Sequence, residues 1–332
     1  MVGQGDTERK SSSSGPVLIT GCPRSGTTFV GSVFEAAPDI FEIYEPFNGA
    51  YSYNLNLPGR LFRITDENAA EFRPRLDRMM ELASLGKRIS MLPHGVWERR
   101  KPKKHQELAS TLSLKKLYRN PPRFFSGRRL SLKDPMAFFS AEWLARTYDM
   151  HVVVMVRHPA GAISSFDQLG WPAETPDIVD YELPLSKGAF DREIAEWRAN
   201  RGDRLGELIL QWKLFTRHTL DLKQLYPHWT FALHEDVCAR PDAMFRQMFA
   251  DAGVPFGPEV EARIRTSTTA NAADPNQPIQ HRLERNSAAL VDSWKTKVPK
   301  EQLDRILSET QDLWAETRRE LERFPHTEDM AK

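Results

Sequence analysis

The chain has 332 residues, and its 46 lysines and arginines almost balance its 45 aspartates and glutamates. Balanced charge excludes a general affinity for polyanions, so we expect no nucleic-acid partner. Only two cysteines occur, which argues against a disulfide framework and favours a reducing compartment. No apolar run approaches the roughly 20 residues that span a bilayer, and the serine-rich N-terminus lacks the apolar core of a secretory signal. We therefore expect a soluble, cytoplasmic protein without a membrane span.

The predicted elements alternate between strand and helix along the chain. Apolar and β-branched runs predict strands over residues 17–20, 40–44, 130–133, 151–156 and 229–233. Helical spacing predicts helices over residues 27–37, 71–85, 135–148, 193–197, 206–225, 242–252, 258–266 and 299–323. This alternation predicts an α/β fold of the P-loop type, with three layers and a central parallel sheet flanked by helices.

The predicted domain organisation is simple. Residues 16–325 are expected to form a single domain that contains a basic helical insertion at 86–130. A disordered tail is expected at residues 1–15, and a second tail at 326–332.

The segment from Gly21 to Thr28 follows the first predicted strand and leads into the first predicted helix. Gly21 and Gly26 have the P-loop spacing, with four residues between the two glycines. Backbone N–H groups in such a turn, together with the helix dipole, favour a bound phosphate. Thr27 stands where P-loop nucleotidases have lysine, and Arg24 supplies a positive charge instead. The missing lysine argues against NTP hydrolysis, because that lysine contacts the terminal phosphates.

The form Pro-Arg-Ser-Gly-Thr-Thr after a strand resembles the 5′-phosphosulfate loop of sulfotransferases that use 3′-phosphoadenosine 5′-phosphosulfate (PAPS). The resemblance implies that the donor is bound by Arg24, Ser25, Gly26, Thr27 and Thr28. The alternative interpretation is a tight strand–helix turn whose glycines serve only packing.

A second segment resembles the same family. The predicted strand 151–156 is followed by Arg157, and Ser165 comes eight positions later. In that family, an arginine and a serine so placed hold the 3′-phosphate of PAPS. Arginine suits this task because its guanidinium offers a fixed fork of donors to a phosphate. The alternative is a strand-end arginine that pairs with a carboxylate.

The resemblance also implies three catalytic residues, Arg24, Glu45 and Lys133. Similar segments in tyrosylprotein and carbohydrate sulfotransferases carry a glutamate at the position of Glu45, which acts as general base toward the acceptor hydroxyl. Lys133 lies in a Lys-Asp-Pro segment like that of the tyrosylprotein enzymes, and Asp134 is expected to orient its loop. Lys133 and Arg24 would neutralise charge on the bridging oxygen as the 5′-phosphate leaves. The alternatives are a surface or capping glutamate and a solvated lysine.

The C-terminal third carries weaker signals. PAPS enzymes often place a basic loop before a tryptophan such as Trp294, and the resemblance makes Arg285 and Ser287 candidates to close over the adenosine and 3′-phosphate. Arg282 is a reserve candidate. The segment His234-Glu235-Asp236 is expected to cap the helix that follows Pro241.

Two stretches bear on the acceptor. Basic residues dominate residues 87–129, which are either a solvated helical insertion or a rim that attracts an anionic acceptor or anionic PAPS. The proline-rich residues 170–184, with Trp171 near their start, are either a lid or a loop that faces the acceptor.

The main hypothesis is a PAPS-dependent sulfotransferase that acts on a hydroxyl group of a small molecule or glycan and releases 3′-phosphoadenosine 5′-phosphate (PAP). A carbohydrate or glycosylated metabolite is the expected acceptor. No metal is expected, because Arg24 and Lys133 supply positive charge and no metal-ligand pattern occurs. The alternatives are a P-loop nucleotide kinase or other phosphotransferase, which Thr27 disfavours, and a non-catalytic PAP-binding module.

Overall fold

The computed structural model describes residues 15–49, 55–89, 125–182, 188, 190–269, 291–292 and 294–323. Its strands are β1 (Val17–Gly21), β2 (Ile40–Tyr44), β3 (Arg129–Lys133), β4 (His151–Val156) and β5 (Thr230–Leu233). They form one sheet in the order β2-β3-β1-β4-β5, and every neighbouring pair is parallel. The predicted α/β fold with a central parallel sheet is confirmed, and each predicted strand agrees with the structure to within one residue at either end.

Helices cover both faces of the sheet. They are α1 (Thr27–Phe34), α2 (Ala69–Met80), α3 (Ala141–Tyr148), α4 (Pro159–Asp167), α5 (Thr175–Glu182), α6 (Asp191–Ala199), α7 (Arg204–Leu225), α8 (His234–Ala239), α9 (Pro241–Asp251), α10 (Pro258–Thr269), α11 (Trp294–Lys297) and α12 (Lys300–Leu321). Two 3₁₀ helices, Glu81–Ala83 and Pro135–Ser140, are also present, and residues 85–89 are helical as well. None of these helices is both long and apolar enough to cross a membrane.

Strand β4 shows why the sheet needs cover on both sides. All six of its residues are buried, as expected for a central strand of a parallel sheet. Side chains alternate along a strand, so Val152 and Val154 join the larger apolar core while Val153 and Met155 join the smaller one. Helices α3, α4 and α7 contribute to the larger core, and α1, α9 and α10 contribute to the smaller one.

Several helix bounds differ from the prediction for identifiable reasons. Helix α1 ends at Phe34 rather than residue 37: the backbone N–H groups of Ala36 and Ala37 donate to oxygen atoms three residues back, and Pro38, which has no N–H, cannot continue the helix. Residues 135–148 begin as a 3₁₀ helix, and Asp134 caps its start, because its carboxylate accepts a hydrogen bond of 2.8 Å from the backbone N–H of Met136. The proline-rich stretch 170–184 contains helix α5, whose Ile178 is fully buried, so much of that stretch is not a loop.

Part of the basic stretch is buried rather than solvated. Arg88 is only 1% exposed, and its guanidinium carbon lies 4.6 Å from the ring centroid of Phe41. Arg129 donates to the backbone oxygen atoms of Gly15 and Ala252, the latter over 2.6 Å. These two arginines tie segments together and are not available to steer a ligand. The remainder of the predicted insertion, residues 90–124, lies outside the described residues, as do residues 1–14 and 324–332 of the predicted tails.

The strand order creates a crevice at one edge of the sheet. The chain leaves β1 toward β2 on one side and leaves the adjacent β4 toward β5 on the other. In open α/β sheets, ligands bind at the carboxyl ends of two strands whose connections diverge in this way. The two predicted phosphate-binding segments follow β1 and β4, so the fold brings them to the same place.

A buried histidine should make the fold sensitive to acid. His218 on α7 packs against the rings of Phe138 and Phe139, and burial lowers its pKa to about 3. Its folded pKa is below the unfolded value of about 6.5, so its contribution to stability is present above that pH and is lost as the pH falls. We expect wild type to lose about 2–3 kcal/mol between pH 7.5 and 4.5 relative to His218→Phe, measured by urea unfolding. The exposed His228, changed to Gln, is the control and should follow wild type; parallel pH profiles of wild type and His218→Phe would contradict the prediction.

Candidate active site

The loop between β1 and α1 has the backbone geometry of an anion-binding nest. Gly26, which precedes α1, has φ 92°, and Arg24 has φ 73°. Where residues with left-handed backbone alternate with right-handed ones, successive backbone N–H groups point to the same concave side of the loop. The first N–H groups of a helix, which have no partner within the helix, lie next to this concave side. A Cβ atom at Gly26 would lie 2.5 Å from Nδ1 of the half-buried His234. Glycine is therefore needed here both for its backbone conformation and for the close approach of His234.

Arg24, Arg157 and Ser165 meet at this loop. Nε of Arg24 donates to Oγ of Ser165 over 3.1 Å, and Nη1 of Arg157 donates to the backbone oxygen of Arg24 over 3.1 Å. The structure thus joins residues that the sequence analysis assigned to two different phosphates. Both charged side chains at the loop are arginines, whose guanidinium groups suit an anion such as phosphate.

Arg157 is held in place by its surroundings. Its backbone oxygen accepts a hydrogen bond of 3.0 Å from the indole N–H of Trp212, and its Nε would be 2.9 Å from a Cβ atom at Gly161. Burial lowers the pKa of Arg157, and the charge of Glu235 opposes this effect, so the guanidinium remains charged. Among the described residues, Nε of Arg157 has no hydrogen-bond partner.

The carboxylates of Glu235 and Asp236 support this region in a way the sequence analysis did not predict. Glu235 accepts a hydrogen bond of 3.1 Å from the backbone N–H of His158, and Asp236 accepts one of 3.0 Å from the backbone N–H of Arg323. Helix α9 has Arg240 at its N-cap and no side-chain cap. The predicted capping of the helix after Pro241 is therefore wrong; these carboxylates fix the starts and ends of other segments.

Lys133 and Glu45 form a buried ion pair at the ends of β3 and β2. Nζ of Lys133 donates to Oε1 of Glu45, and the two residues are 1% and 8% exposed. The backbone N–H of Glu45 also donates to the backbone oxygen of Lys133 over 2.8 Å, and Nδ2 of Asn48 donates to Oε2 of Glu45 over 2.9 Å. Glu45 has φ 45°, in the left-handed region that few glutamates adopt. Two of the three residues predicted to be catalytic, Glu45 and Lys133, are therefore in direct contact, and neither is a solvated surface group.

Asp134 orders the chain around this pair. Its carboxylate is fully buried and accepts hydrogen bonds from the backbone N–H groups of Phe47, over 2.5 Å, and Met136, over 2.8 Å. Burial raises the pKa of Asp134 to about 8, and the charge of Glu45 adds to this effect. Asp134 thus links the segment after Glu45 to the segment after Lys133, as expected for a residue that orients the loop.

Gly31 on α1 makes room for Lys133. A Cβ atom at Gly31 would lie 2.6 Å from Cγ of Lys133 and 3.1 Å from Oε2 of Glu42. The aliphatic part of Lys133 therefore crosses directly over the helix that begins at the phosphate loop. This contact places the Lys133–Glu45 pair beside the nest rather than on the opposite face of the sheet.

A second ion pair near the site was not predicted from the sequence. Glu174, only 3% exposed, lies 2.7 Å from Nη2 of Arg60, and Nη2 also lies 3.8 Å from Sδ of Met136. Burial raises the pKa of Glu174 to about 7, while Arg60 opposes this effect and the charge of Glu45 adds to it. Burial raises the pKa of the Cys22 thiol in the phosphate loop, and the charge of Glu174 raises it further. No local pattern could have identified this pair, because its members come from distant segments.

The loop before Glu174 also reaches the nest. The guanidinium of Arg24 lies 5.9 Å from the ring centroid of Trp171. Arg204 anchors this loop, since it donates to the backbone oxygen of Trp171 over 2.7 Å and pairs with Asp167. Trp171 thus covers one side of Arg24, a contact consistent with either the lid or the acceptor-facing loop predicted for this stretch.

Some predicted site residues cannot be placed. Arg285, Ser287 and the reserve candidate Arg282 lie outside the described residues. Trp294, which follows them, is buried and stacks on His158 with ring centroids 4.4 Å apart and planes 8° from parallel. Within the described ranges, no group of three or more histidine, cysteine, aspartate or glutamate side chains is arranged to hold a metal ion.

A model of the sulfotransferase family matches residues 16–258, which include the phosphate loop, the buried ion pair and Arg157. The chain belongs to the sulfotransferase family. A search of curated proteins finds no match to the chain.

Three solved sulfotransferase structures are similar to the chain. The sulfotransferase domain of the curacin biosynthetic pathway is 19% identical, with a TM-score of 0.45, and the match covers 90% of this chain and 97% of that one. The sulfotransferase domain of the olefin synthase of Synechococcus PCC 7002 is 16% identical, with a TM-score of 0.43 and coverage of 93% and 98%. Sulfotransferase STF9 of Mycobacterium avium is 15% identical, with a TM-score of 0.40 and coverage of 90% and 76%.

The buried ion pair should show strong coupling in a double-mutant cycle. Lys133→Met leaves the Glu45 carboxylate buried without its cation, and we expect it to lower the free energy of unfolding by about 3–5 kcal/mol. Lys133→Met combined with Glu45→Gln should cost less than the sum of the two single changes, because the uncompensated charge is then absent.

Urea unfolding at pH 8 measures both effects. Arg192→Met is the control, because the Arg192–Glu196 pair is largely exposed and should contribute little. Additive effects of Lys133→Met and Glu45→Gln would show that the two side chains do not stabilise each other.

Proposed function

We propose that this sulfotransferase moves a sulfuryl group from PAPS to a hydroxyl group of an acceptor, by in-line transfer with Glu45 as general base. We further propose a carbohydrate or glycosylated metabolite as acceptor. The observation that carries the donor assignment is the convergence of Arg24 and Arg157 with Ser165 at the nest before α1.

The residues present fit a donor with two separate anionic groups. Arg24, Ser25, Gly26, Thr27 and Thr28 would hold the 5′-phosphosulfate, since they form the nest and the first turn of α1. Arg157 and Ser165 would hold the 3′-phosphate, together with Arg285 and Ser287. Support comes from Nε of Arg157, which has no hydrogen-bond partner among the described residues and which a bound anion would compensate.

The side chains beside the nest suit sulfuryl transfer. PAPS, when bound, supplies an activated sulfuryl group and a phosphate leaving group. Glu45 must be ionised to take the proton of the acceptor hydroxyl, and its carboxylate is in direct contact with the Lys133 ammonium. Once Glu45 has taken the proton, its attraction for Lys133 weakens, and the Lys133 ammonium is then free to neutralise charge on the leaving oxygen. Proton transfer to Glu45 would therefore make the positive charge of Lys133 available to the leaving oxygen.

Loss of Arg157 should weaken donor binding. A charge-assisted hydrogen bond to a phosphate contributes roughly 1.5–3 kcal/mol, so Arg157→Ala should raise the Kd for PAP about tenfold or more. Calorimetry without magnesium measures this change, with Arg246→Ala as a control on the exposed Arg246–Glu261 pair. Tighter binding of ATP than of PAP by wild type would overturn the donor assignment and favour the kinase alternative.

Loss of Glu45 should affect rate rather than donor binding. Glu45→Gln keeps the shape of the side chain but cannot take a proton, so turnover should fall by about 10²- to 10⁴-fold while the Kd for PAP changes only a few-fold. The assay uses PAPS with a panel of methyl glycosides and simple alcohols, and mass spectrometry detects an added sulfuryl group. Glu316→Gln, which removes a charge from the Arg217–Glu316 pair, is the control.

Each result of this assay bears on one part of the proposal. Near-normal turnover by Glu45→Gln would mean that another residue is the base. PAP binding by wild type with no product from any alcohol in the panel would favour the non-catalytic module.

A further inference from the structure

Aromatic rings from three helices surround the backbone where β4 ends. The imidazole of His158 stacks on the indole of Trp294 in α11, with ring centroids 4.4 Å apart and planes 8° from parallel. It also makes an edge-to-face contact with Trp314 in α12, with centroids 5.1 Å apart and planes at 80°. Trp314 in turn contacts Trp212 in α7, whose indole N–H donates to the backbone oxygen of Arg157. The residues that follow β4 are therefore held by a continuous cluster of aromatic side chains.

The same cluster reaches the side chain of Arg157. At Gly161, in the first turn of α4, a Cβ atom would lie 2.9 Å from Nε of Arg157 and 3.3 Å from Cδ1 of Trp294. The guanidinium and the indole therefore meet in one small space, which only a residue without a side chain leaves open. An arginine side chain has many rotamers, and the indole limits how far the guanidinium of Arg157 can move across α4.

The imidazole of His158 suits this position because it is neutral. Burial and, to a smaller extent, the charge of Arg157 lower the pKa of His158 to about 4, so at neutral pH the ring does not repel the guanidinium. The backbone N–H of His158 donates to Oε1 of Glu235 over 3.1 Å, which fixes the main chain beside Arg157. Among the described residues, Nδ1 of His158 has no hydrogen-bond partner, so aromatic contacts rather than a hydrogen bond at this atom orient the ring.

We propose that His158 is a positioning residue for donor binding, and that its stack on Trp294 holds the Arg157 guanidinium where the 3′-phosphate binds. This inference rests on the proposed function, which assigns the 3′-phosphate to Arg157 and Ser165. A guanidinium that is already ordered loses little conformational entropy when the phosphate arrives, so positioning it increases the affinity for that group. The effect requires no contact between His158 and the donor.

The test compares PAP with adenosine 5′-phosphate (AMP), which lacks the 3′-phosphate. We expect His158→Ala to raise the Kd for PAP about two- to tenfold, the change expected for loss of one aromatic pair, and to leave the Kd for AMP within about twofold. His158→Phe keeps a flat ring against Trp294, so it should retain the wild-type Kd for PAP. Calorimetry without magnesium measures both ligands, and thermal unfolding checks that each variant is folded at the temperature of the measurement.

A double variant shows whether His158 acts through Arg157. Arg157→Ala removes the guanidinium that the stack is proposed to hold, so adding His158→Ala to it should change the Kd for PAP by less than about twofold. Independent contributions would instead multiply, and a multiplied loss of affinity would overturn the positioning role.

Tyr226→Ala is the matched control for removal of a stacked ring. Tyr226 stacks on Trp229 with centroids 4.5 Å apart and planes 12° from parallel, nearly the geometry of the stack of His158 on Trp294. The control pair precedes β5, at the opposite edge of the sheet from the phosphate loop. Its loss should leave the Kd for PAP at the wild-type value; an equal rise for Tyr226→Ala and His158→Ala would overturn a specific role for His158.

The outcomes separate failure of this inference from failure of the proposed function. If wild type binds PAP no more tightly than AMP, the 3′-phosphate site of the proposed function fails, and the inference fails with it. If wild type prefers PAP, an unchanged Kd for PAP in His158→Ala, or equal losses for PAP and AMP, overturns the positioning role alone. A loss that is confined to PAP and absent from His158→Phe supports it.

Discussion

The ion pair between Lys133 and Glu45 depends on the sheet and in turn organises the site. Parallel pairing of β2 with β3 puts the two residues at neighbouring strand ends, and burial makes the loss of either charge costly. The surrounding features are those that such a pair needs: a glycine at position 31 for the lysine stem, an aromatic ring over the ammonium group, and an aspartate that ties down both flanking segments. The pair is thereby fixed against the helix that begins at the phosphate loop.

Much of the fold could be predicted because its signals are local. The apolar run from Val152 to Val156 is typical of a strand that is buried on both faces of a sheet. The turn from Gly21 to Gly26 has glycine at both ends because the backbone there has positive φ. Predictions were less accurate where a side chain or a proline affects the backbone, as at Asp134, which caps the start of a 3₁₀ helix, and at Pro38, which cannot continue α1. Helix α5 was missed because prolines near residues 172–184 suggested a loop.

The site could be predicted only in part. Arg24, Arg157 and Ser165 were found from spacing and resemblance, and the structure brings them into contact. The pair Arg60–Glu174 joins segments more than a hundred residues apart, so no sequence spacing reveals it. Charge alone was also misleading in the basic stretch, since Arg88 is buried against Phe41 although its neighbours suggested a solvated face. Burial and pairing of charges are properties of the assembled fold, not of short patterns.

The left-handed backbone at Arg24 and Glu45 has a consequence for how this protein can change. A residue other than glycine or asparagine usually avoids this conformation, and holding one there costs of order 1–3 kcal/mol. Glycine or asparagine at either position would relax the backbone, yet would remove a charge from the phosphate loop or from the pair with Lys133. Selection for thermal robustness alone would therefore drive both positions away from their present residues. At both positions the backbone preference and the side-chain charge are therefore opposed, so a glycine or asparagine placed there for stability would remove a charge from the candidate site.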